Sequence, residues 1–196
     1  MSDAIKKFFT PRKLCAMAML IALQIVLARF VGWQISEGLR ISFETIPILI
    51  GGLWLGPVAG ALIGWISDIL GTVLSGYGVY FLPLSITPIL NGVLPWLIFR
   101  FVWKDNVNPV KCAITIIVTE LFASFVCGTY ALTWYYKLFV PSKVTTFWLL
   151  TLTRLVKLLT IACDTALVTL LHFSAYKRAI KPMLNKDRHS SLREGK

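Results

Sequence analysis

Long apolar runs separated by short polar segments dominate the chain. Between Glu44 and Arg100 the only charged side chain is Asp68. About 20 apolar residues suffice for one helical crossing of a bilayer, so this stretch alone can supply two or three crossings. Further apolar runs occupy residues 14–28, 121–136 and 158–176. These runs do not alternate apolar and polar residues at every second position, which argues against a sheet barrel. The pattern therefore predicts an all-α membrane protein.

The positions of the basic residues predict the topology. Lys and Arg cluster before the first apolar run, in the connector 100–111 and after Tyr176. Cytoplasmic segments carry an excess of these residues, so all three clusters are expected in the cytoplasm. Five crossings would leave the connector and the tail outside, whereas six place every cluster inside. The extra turn is predicted at Gly56-Pro57, because glycine permits a tight reversal and proline suits the first turn of a helix.

Six helices in one membrane domain follow from this topology. They are predicted at about 13–31, 43–55, 57–75, 81–102, 110–136 and 147–176, with a basic cytoplasmic tail at 177–196. The second helix, about 20 Å long, is shorter than the hydrocarbon core of about 30 Å. Either the bilayer thins around it, or its end leaves a recess that the preceding loop fills as a ligand vestibule; a misplaced helix start is an equal alternative. The first run lacks a signal-peptide cleavage site and is predicted as a retained helix.

Composition and motifs narrow the function classes. The chain is 57% hydrophobic and 15% charged, with a mean hydropathy of +0.74, which excludes an ordinary soluble domain. The net charge of +11 lies in the predicted cytoplasmic segments, so it indicates topology and not nucleic-acid binding. The four cysteines have neither metal-site spacing nor a paired pattern. No Gly-rich phosphate loop is present, so ATP hydrolysis must come from elsewhere. His172 and His189 are predicted far from any candidate nucleophile, and no paired-Asp motif for Mg²⁺ is present, so no enzyme activity, metal or cofactor is expected.

Polar side chains from several predicted helices fall in the outer half of the bundle or near its middle. They are Arg29, Asp68, Asn91, Arg154, Lys157 and Asp164. Such groups are costly at membrane depth and normally face inward. One predicted helical face, at three- and four-residue steps, carries Arg154, Lys157, Ile161, Asp164 and Val168, so both cations and Asp164 are expected to point the same way. An ion pair of Lys157 and Asp164 through a neighbour, with Arg154 extended to the outer headgroups, is an alternative explanation. Glu120 falls in the inner half of helix five, where a buried hydrogen bond or a partner contact is expected instead of a substrate.

Aromatic residues flank the predicted outer loops. They are Trp33, Phe43, Tyr77, Tyr80, Trp134 and Tyr135. An interfacial belt explains aromatic residues at these heights without a ligand. It does not explain Arg40 and Glu44 beside them. Aromatic faces together with guanidinium groups suit a flat heterocycle that carries carboxylates.

Three segments carry a family resemblance. Residues 40–48 (RISFETIPI), 51–60 (GGLWLGPVAG) and 68–71 (DILG) resemble the folate-type S components of energy-coupling factor (ECF) transporters. The resemblance implies a subunit that captures a vitamin near the outer face and associates with a membrane-spanning coupling subunit and two cytoplasmic ATPases. It also implies that residues 32–44 and 75–81 form a lid, and that Ala18 and Ala22 contact the coupling subunit.

Folate is therefore the expected ligand, and the location is a bacterial cytoplasmic membrane with both termini inside. Riboflavin, pantothenate or a queuosine precursor would suit several of the same groups. A structural membrane protein and a proton-coupled carrier that uses Asp68, Glu120 or Asp164 are the other two classes. The expected substrate-binding residues are Arg29, Trp33, Arg40, Phe43, Glu44, Asp68, Tyr77, Tyr80, Asn91, Trp134, Tyr135, Arg154 and Lys157.

Overall fold

The structure, a computed structural model, describes residues 11–30, 33–36, 39–41, 43–75, 80–103, 108–139 and 157–175. Tyr77, Arg154, the first ten residues of predicted helix six and the tail 177–196 lie outside the described residues. The backbones of Trp33, Arg40 and Lys157 are described, but their side chains are not.

Helices make up nearly all of the described chain. The elements are α1 (Pro11–Phe30), β1 (Trp33–Ser36), β2 (Leu39–Ile41), α2 (Thr45–Leu55), α3 (Pro57–Ser75), a 3₁₀-helix (Leu82–Ser85), α4 (Ile86–Phe101), α5 (Pro109–Leu121), a π-helix (Phe122–Gly128), α6 (Thr129–Phe139) and α7 (Lys157–Ala175). The two strands form an antiparallel hairpin in which Trp33 faces Ile41 and Gln34 faces Arg40. The sequence predicts only a loop at this place.

The protein is an all-α membrane bundle. Within the described residues, four stretches are long and apolar enough to cross a bilayer: Lys13–Phe30, Pro57–Leu74, Leu82–Phe101 and Pro109–Tyr135. Thr45–Leu55 and Leu158–Ser174 are apolar but shorter. The six predicted helices overlap α1, α2, α3, α4, the continuous α5–π–α6 stretch and α7, while the number of crossings stays a prediction. At 11 residues, α2 is shorter still than the sequence predicts.

Side-chain distribution supports burial in lipid. Large apolar residues such as Met19, Phe30 and Val73 are 73%, 83% and 72% exposed. Polar residues such as Thr115 and Ser67 are completely buried. A soluble protein rarely exposes so much contiguous apolar surface, whereas a lipid-facing helix bundle requires it.

A tight turn joins α2 to α3. Gly56 has φ = 100°, a conformation that glycine adopts without steric cost, and α3 begins at Pro57. The Gly56 N–H donates to the Gly52 carbonyl at 3.2 Å, which closes the last turn of α2. Because the connection is so short, α2 and α3 run antiparallel, and the chain reverses where the sequence predicts it.

Three glycines bring α2, α3 and α4 into backbone contact. A Cβ atom added at Gly52 or at Gly60 would collide with the carbonyl of Gly92, and one added at Gly92 would collide with the carbonyl of Gly60. These three helices pack against one another, α1 packs against α2 and α3, and α7 packs against α2 and α5. The close crossing fixes the ends of these helices relative to one another, and those ends carry the polar residues of the site.

Candidate functional site

A cavity of about 360 Å³ lies at one end of the bundle. It is bounded by the C-terminal part of α1, the N-terminal part of α2, the C-terminal half of α3, the N-terminal half of α4, the π-helix region and the N-terminal part of α7. Successive helices alternate in direction, so these segments meet at the same end. The volume falls near the lower limit of small-molecule pockets, which range from about 300 to 1,000 Å³.

Acidic side chains converge on this cavity. Every acidic residue in the described part of the chain lines it, and these residues are Glu44, Asp68, Glu120 and Asp164. Glu120 and Asp164 are 4% and 2% exposed, which is rare for carboxylates in an apolar bundle. Arg29 is the cation among the described lining residues, and its side chain is exposed at the rim. The charged groups of the described lining are therefore mainly hydrogen-bond acceptors.

Three buried oxygens in the lining have no hydrogen-bond partner among the described residues. They are Gln24 Oε1, Ser67 Oγ and Asn91 Oδ1. Leaving such an atom unsatisfied costs about 1–3 kcal/mol, so a polar ligand that bonds to these atoms would gain affinity. Asn91 is an expected site residue, whereas Gln24 and Ser67 are not. Their signals in the sequence are a glutamine within the first apolar run and a serine beside Asp68.

A chain of hydrogen bonds holds the Asp68 carboxylate. The Ser85 hydroxyl donates to Asp68 Oδ2 at 2.5 Å, and the Tyr80 and Ser85 hydroxyls are 2.6 Å apart. The Trp65 indole N–H donates to the Tyr80 hydroxyl at 3.2 Å. The structure thus connects two expected site residues, Asp68 and Tyr80, through a serine that sequence reasoning missed.

The π-helix and the last turn of α5 before it contribute one part of the cavity lining. Glu120, Ser124 and Gly128, spaced by four residues, all line the cavity. The expectation that Glu120 lies away from the other polar groups is wrong. Its position in the helix places it in the inner half of the bundle, but the cavity extends far enough to include it.

Two of the expected aromatic residues, Trp134 and Tyr135, contact Phe81 outside the described cavity lining. Phe81 makes edge contacts with Trp134 and Tyr135, with ring centroids 6.4 Å and 5.7 Å apart. Phe43 packs against the apolar core formed by residues of α2, α4, α5 and α7. No aromatic side chain is among the described residues that line the cavity. Ligand stacking on these aromatic residues therefore stays a prediction.

The expected residues divide into three groups. Arg29, Glu44, Asp68 and Asn91 line the cavity. Phe43, Tyr80, Trp134 and Tyr135 are described but lie outside its lining. The side chains of the remaining expected residues, Trp33, Arg40, Tyr77, Arg154 and Lys157, are not described. Ala18 and Ala22 are exposed, one helical turn apart, on α1. Within the described part of the chain, no group of three or more His, Cys, Asp or Glu side chains could hold a metal ion.

A membrane-embedded helix bundle with a polar cavity at one end has the architecture to hold a small polar molecule. Residues 12–172 match the family described as "ECF transporter, substrate-specific component". The chain belongs to this family, which consists of substrate-binding components of transporters and not of enzymes.

The chain is also similar to an individual curated protein of known substrate. The chain is 33% identical over 101 residues to the folate transporter FolT of Clostridium novyi (strain NT). This match covers 52% of the chain and 58% of that relative, so it spans little more than half the relative's length.

Two solved structures share the fold. One is FolT bound with folic acid, with a TM-score of 0.63 and 18% identity over 87% of this chain and 96% of that one. The other is the S component of a bacterial ECF transporter, with a TM-score of 0.53 and 17% identity over 88% of this chain and 98% of that one.

Proposed function

We propose that this chain captures folate, or a closely related pterin, in the acid-lined cavity and delivers it for import. The observation that carries the proposal is the convergence of four carboxylates and three unpartnered buried oxygens on one cavity. The similarity to a folate transporter and to the fold of FolT supports the choice of ligand.

The chemistry of the pterin ring suits this lining. Its 2-amino-4-oxopyrimidine edge presents adjacent N–H donors, which one carboxylate can accept in parallel. Asp68, Asp164 and Glu120 supply such acceptors, and Gln24 and Asn91 can bond to the other polar atoms of the ring. We therefore expect the ring to occupy the cavity.

The acidic tail of folate is expected at the rim. Inside the cavity its carboxylates would meet like charges, whereas Arg29 lies exposed at the edge. Arg40, Arg154 and Lys157 are proposed as further partners of the tail. Pantothenate, an acid without adjacent ring N–H donors, suits this lining less well for the same electrostatic reason.

The test is to measure ligand binding by the full chain in detergent, using tryptophan fluorescence and calorimetry. Folic acid should bind, with riboflavin and pantothenate as competitors for comparison. Asp164→Asn should weaken binding of folic acid by about tenfold or more, because hydrogen bonds to charged groups contribute about 1.5–3 kcal/mol.

Thr165→Val is the matched control for this substitution. Thr165 is the next residue of α7, is buried, donates to the Ile161 carbonyl and is not among the lining residues. Its substitution should leave affinity unchanged. Failure of the unmodified chain to bind micromolar folic acid, with binding of another vitamin, would reassign the substrate.

Transport requires partners that supply energy. The sequence contains no phosphate-binding loop, so we propose that a membrane-spanning coupling subunit and two cytoplasmic ATPases drive import. Ala18 and Ala22 support a coupling interface on α1, since both are exposed and small side chains let another helix approach closely. Met19, 73% exposed, adds apolar surface beside them.

The proposed location is a bacterial cytoplasmic membrane, with the cavity toward the outside and both termini in the cytoplasm. Arg100 in the last turn of α4 and Lys111 in the first turn of α5 lie at the opposite end of those helices from the cavity. Basic residues beside a helix connector favour the cytoplasmic side, which supports this orientation.

A further inference from the structure

We propose that Ser85 and Tyr80 are positioning residues that hold the Asp68 carboxylate for ligand recognition, and that Tyr80 does not itself bind the substrate. The inference rests on the proposed function and adds to it a role for two residues. It begins from the hydrogen-bond chain that runs from Trp65 through Tyr80 and Ser85 to Asp68.

The direction of each hydrogen bond follows from the chemistry of the donors. Ser85 has one hydroxyl hydrogen and donates it to Asp68 Oδ2. The Tyr80 hydroxyl, 2.6 Å from Ser85 Oγ, must therefore be the donor in that pair. The Tyr80 oxygen accepts from the Trp65 N–H, because an indole nitrogen can only donate. All three hydrogens consequently point toward the carboxylate.

The common direction of the three hydrogen bonds strengthens the bond from Ser85 to Asp68, the residue that lines the cavity. Each donor in a chain polarises the next, so the Ser85 hydroxyl is a better donor when Tyr80 donates to it. Ser85 is only 1% exposed, and water is therefore a poor substitute for it. The hydrogen bond from Ser85 fixes Oδ2, so the Asp68 carboxylate is held in a single orientation relative to the cavity.

The position of Tyr80 argues against direct ligand contact. Its hydroxyl is engaged by both Trp65 and Ser85, and Tyr80 is not among the described residues that line the cavity. The contacts join α3, which carries Trp65 and Asp68, to the 3₁₀-helix, which ends at Ser85. Tyr80 therefore acts on the ligand only through Ser85 and Asp68.

The experiment measures the Kd of folic acid for the full chain and three variants. Ser85→Ala should raise the Kd by about tenfold, because a charge-assisted hydrogen bond is lost. Tyr80→Phe keeps the aromatic ring and should raise the Kd by about threefold, since it removes only the polarising donor. The double variant should bind like Ser85→Ala alone, because Tyr80 has no route to Asp68 once the serine hydroxyl is absent.

Several outcomes would overturn the inference. An unchanged Kd for Ser85→Ala would overturn the inference. An unchanged Kd for Tyr80→Phe would also overturn it and would instead fit a stacking role for the Tyr80 ring. Additive losses in the double variant would indicate direct contact of Tyr80 with the ligand. Thr133→Val, which removes a hydroxyl that donates to the Thr129 carbonyl away from the cavity, is the control and should bind normally. Size-exclusion profiles and Tm values verify that each variant is folded.

A ligand-free measurement separates this inference from the proposed function. The infrared carboxylate band of Asp68 is identified from the difference between the unmodified chain and Asp68→Asn. Ser85→Ala should shift this band, Tyr80→Phe should shift it less, and Thr133→Val should not. If folic acid does not bind at all, the proposed function fails, but the infrared band still tests the positioning role. An unshifted band in Ser85→Ala contradicts that role.

Discussion

Individual charged residues were the most predictable part of the site. Arg29, Asp68 and Asp164 line the cavity as the depth argument expects, because a charge in a membrane helix is too costly to face lipid. Neutral polar residues carry no such constraint. Gln24 and Ser67 were therefore missed, although both bring unpartnered oxygens to the cavity.

Glu120 provides a test at the scale of one residue. It lines the cavity and is 4% exposed, so a ligand that reaches the π-helix region meets a carboxylate there. Glu120→Gln keeps the size of the side chain and removes the charge. We expect the affinity for folic acid to fall by about tenfold, the loss of one charge-assisted hydrogen bond, as measured by calorimetry.

The adjacent residue supplies the control for this substitution. Thr119 is completely buried on the same helix and is not among the lining residues. Thr119→Val should leave the affinity unchanged. Equal affinities of Glu120→Gln and the unmodified chain would restore the original expectation that Glu120 has no part in substrate binding.

Among the elements, helix ends marked by glycine and proline were predictable, whereas irregular backbone was not. The predicted ranges 43–55 and 57–75 overlie Thr45–Leu55 and Pro57–Ser75, because Gly56-Pro57 permits only a break there. The hairpin formed by β1 and β2 was missed because its strands have only four and three residues. Strands this short leave no recognisable alternation.

The π-helix was also missed, since no composition marks it, yet it matters for the site. Four residues of an α-helix turn through about 400°, an overshoot of about 40°. In a π-helix the hydrogen bonds connect residues five apart and each turn holds more residues, so the same step falls short of a full turn. The step from Glu120 to Ser124 crosses from α-helix into π-helix, so its two deviations offset each other, and the step from Ser124 to Gly128 lies in the π-helix. All three residues line the cavity.

The glycine crossing of α2, α3 and α4 gives a prediction about stability. Gly92→Ala places a methyl group against the Gly60 carbonyl, and backbone cannot move aside as a flexible side chain can. We expect the free energy of unfolding to fall by about 1–3 kcal/mol, as overpacking of a core does. A lower Tm of the purified, ligand-free chain is the measurement.

Gly71→Ala distinguishes crowding from a general effect of helical glycine. A Cβ atom at Gly71 meets no heavy atom within 4 Å, and alanine is the better helix former by up to about 1 kcal/mol. The Tm of Gly71→Ala should therefore stay equal or rise. A similar loss of Tm in both variants would contradict the view that close backbone contact is the reason for glycine at position 92.

At the scale of the whole molecule, the bundle separates two kinds of charge. The acidic residues of the described chain gather in the cavity at one end, while Arg100 and Lys111 flank the connector at the other. The basic end was predictable because the bias in Lys and Arg acts on whole segments and does not depend on side-chain detail. The shape of the cavity was not predictable, since it depends on how close the helices approach.

Orientation in the membrane is the last prediction, and the exposed residues Asn108 and Lys137 report on opposite ends of the continuous α5–π–α6 stretch. Phe81 contacts Trp134 and Tyr135, which places the Lys137 end beside the cavity. In a background without the four native cysteines, Lys137→Cys should react with a membrane-impermeant maleimide on intact bacteria. Asn108→Cys should react only after permeabilisation, which also serves as the control that both thiols are reactive. The reverse pattern would open the cavity to the cytoplasm, and capture of a vitamin from outside by this end of the bundle would then be impossible.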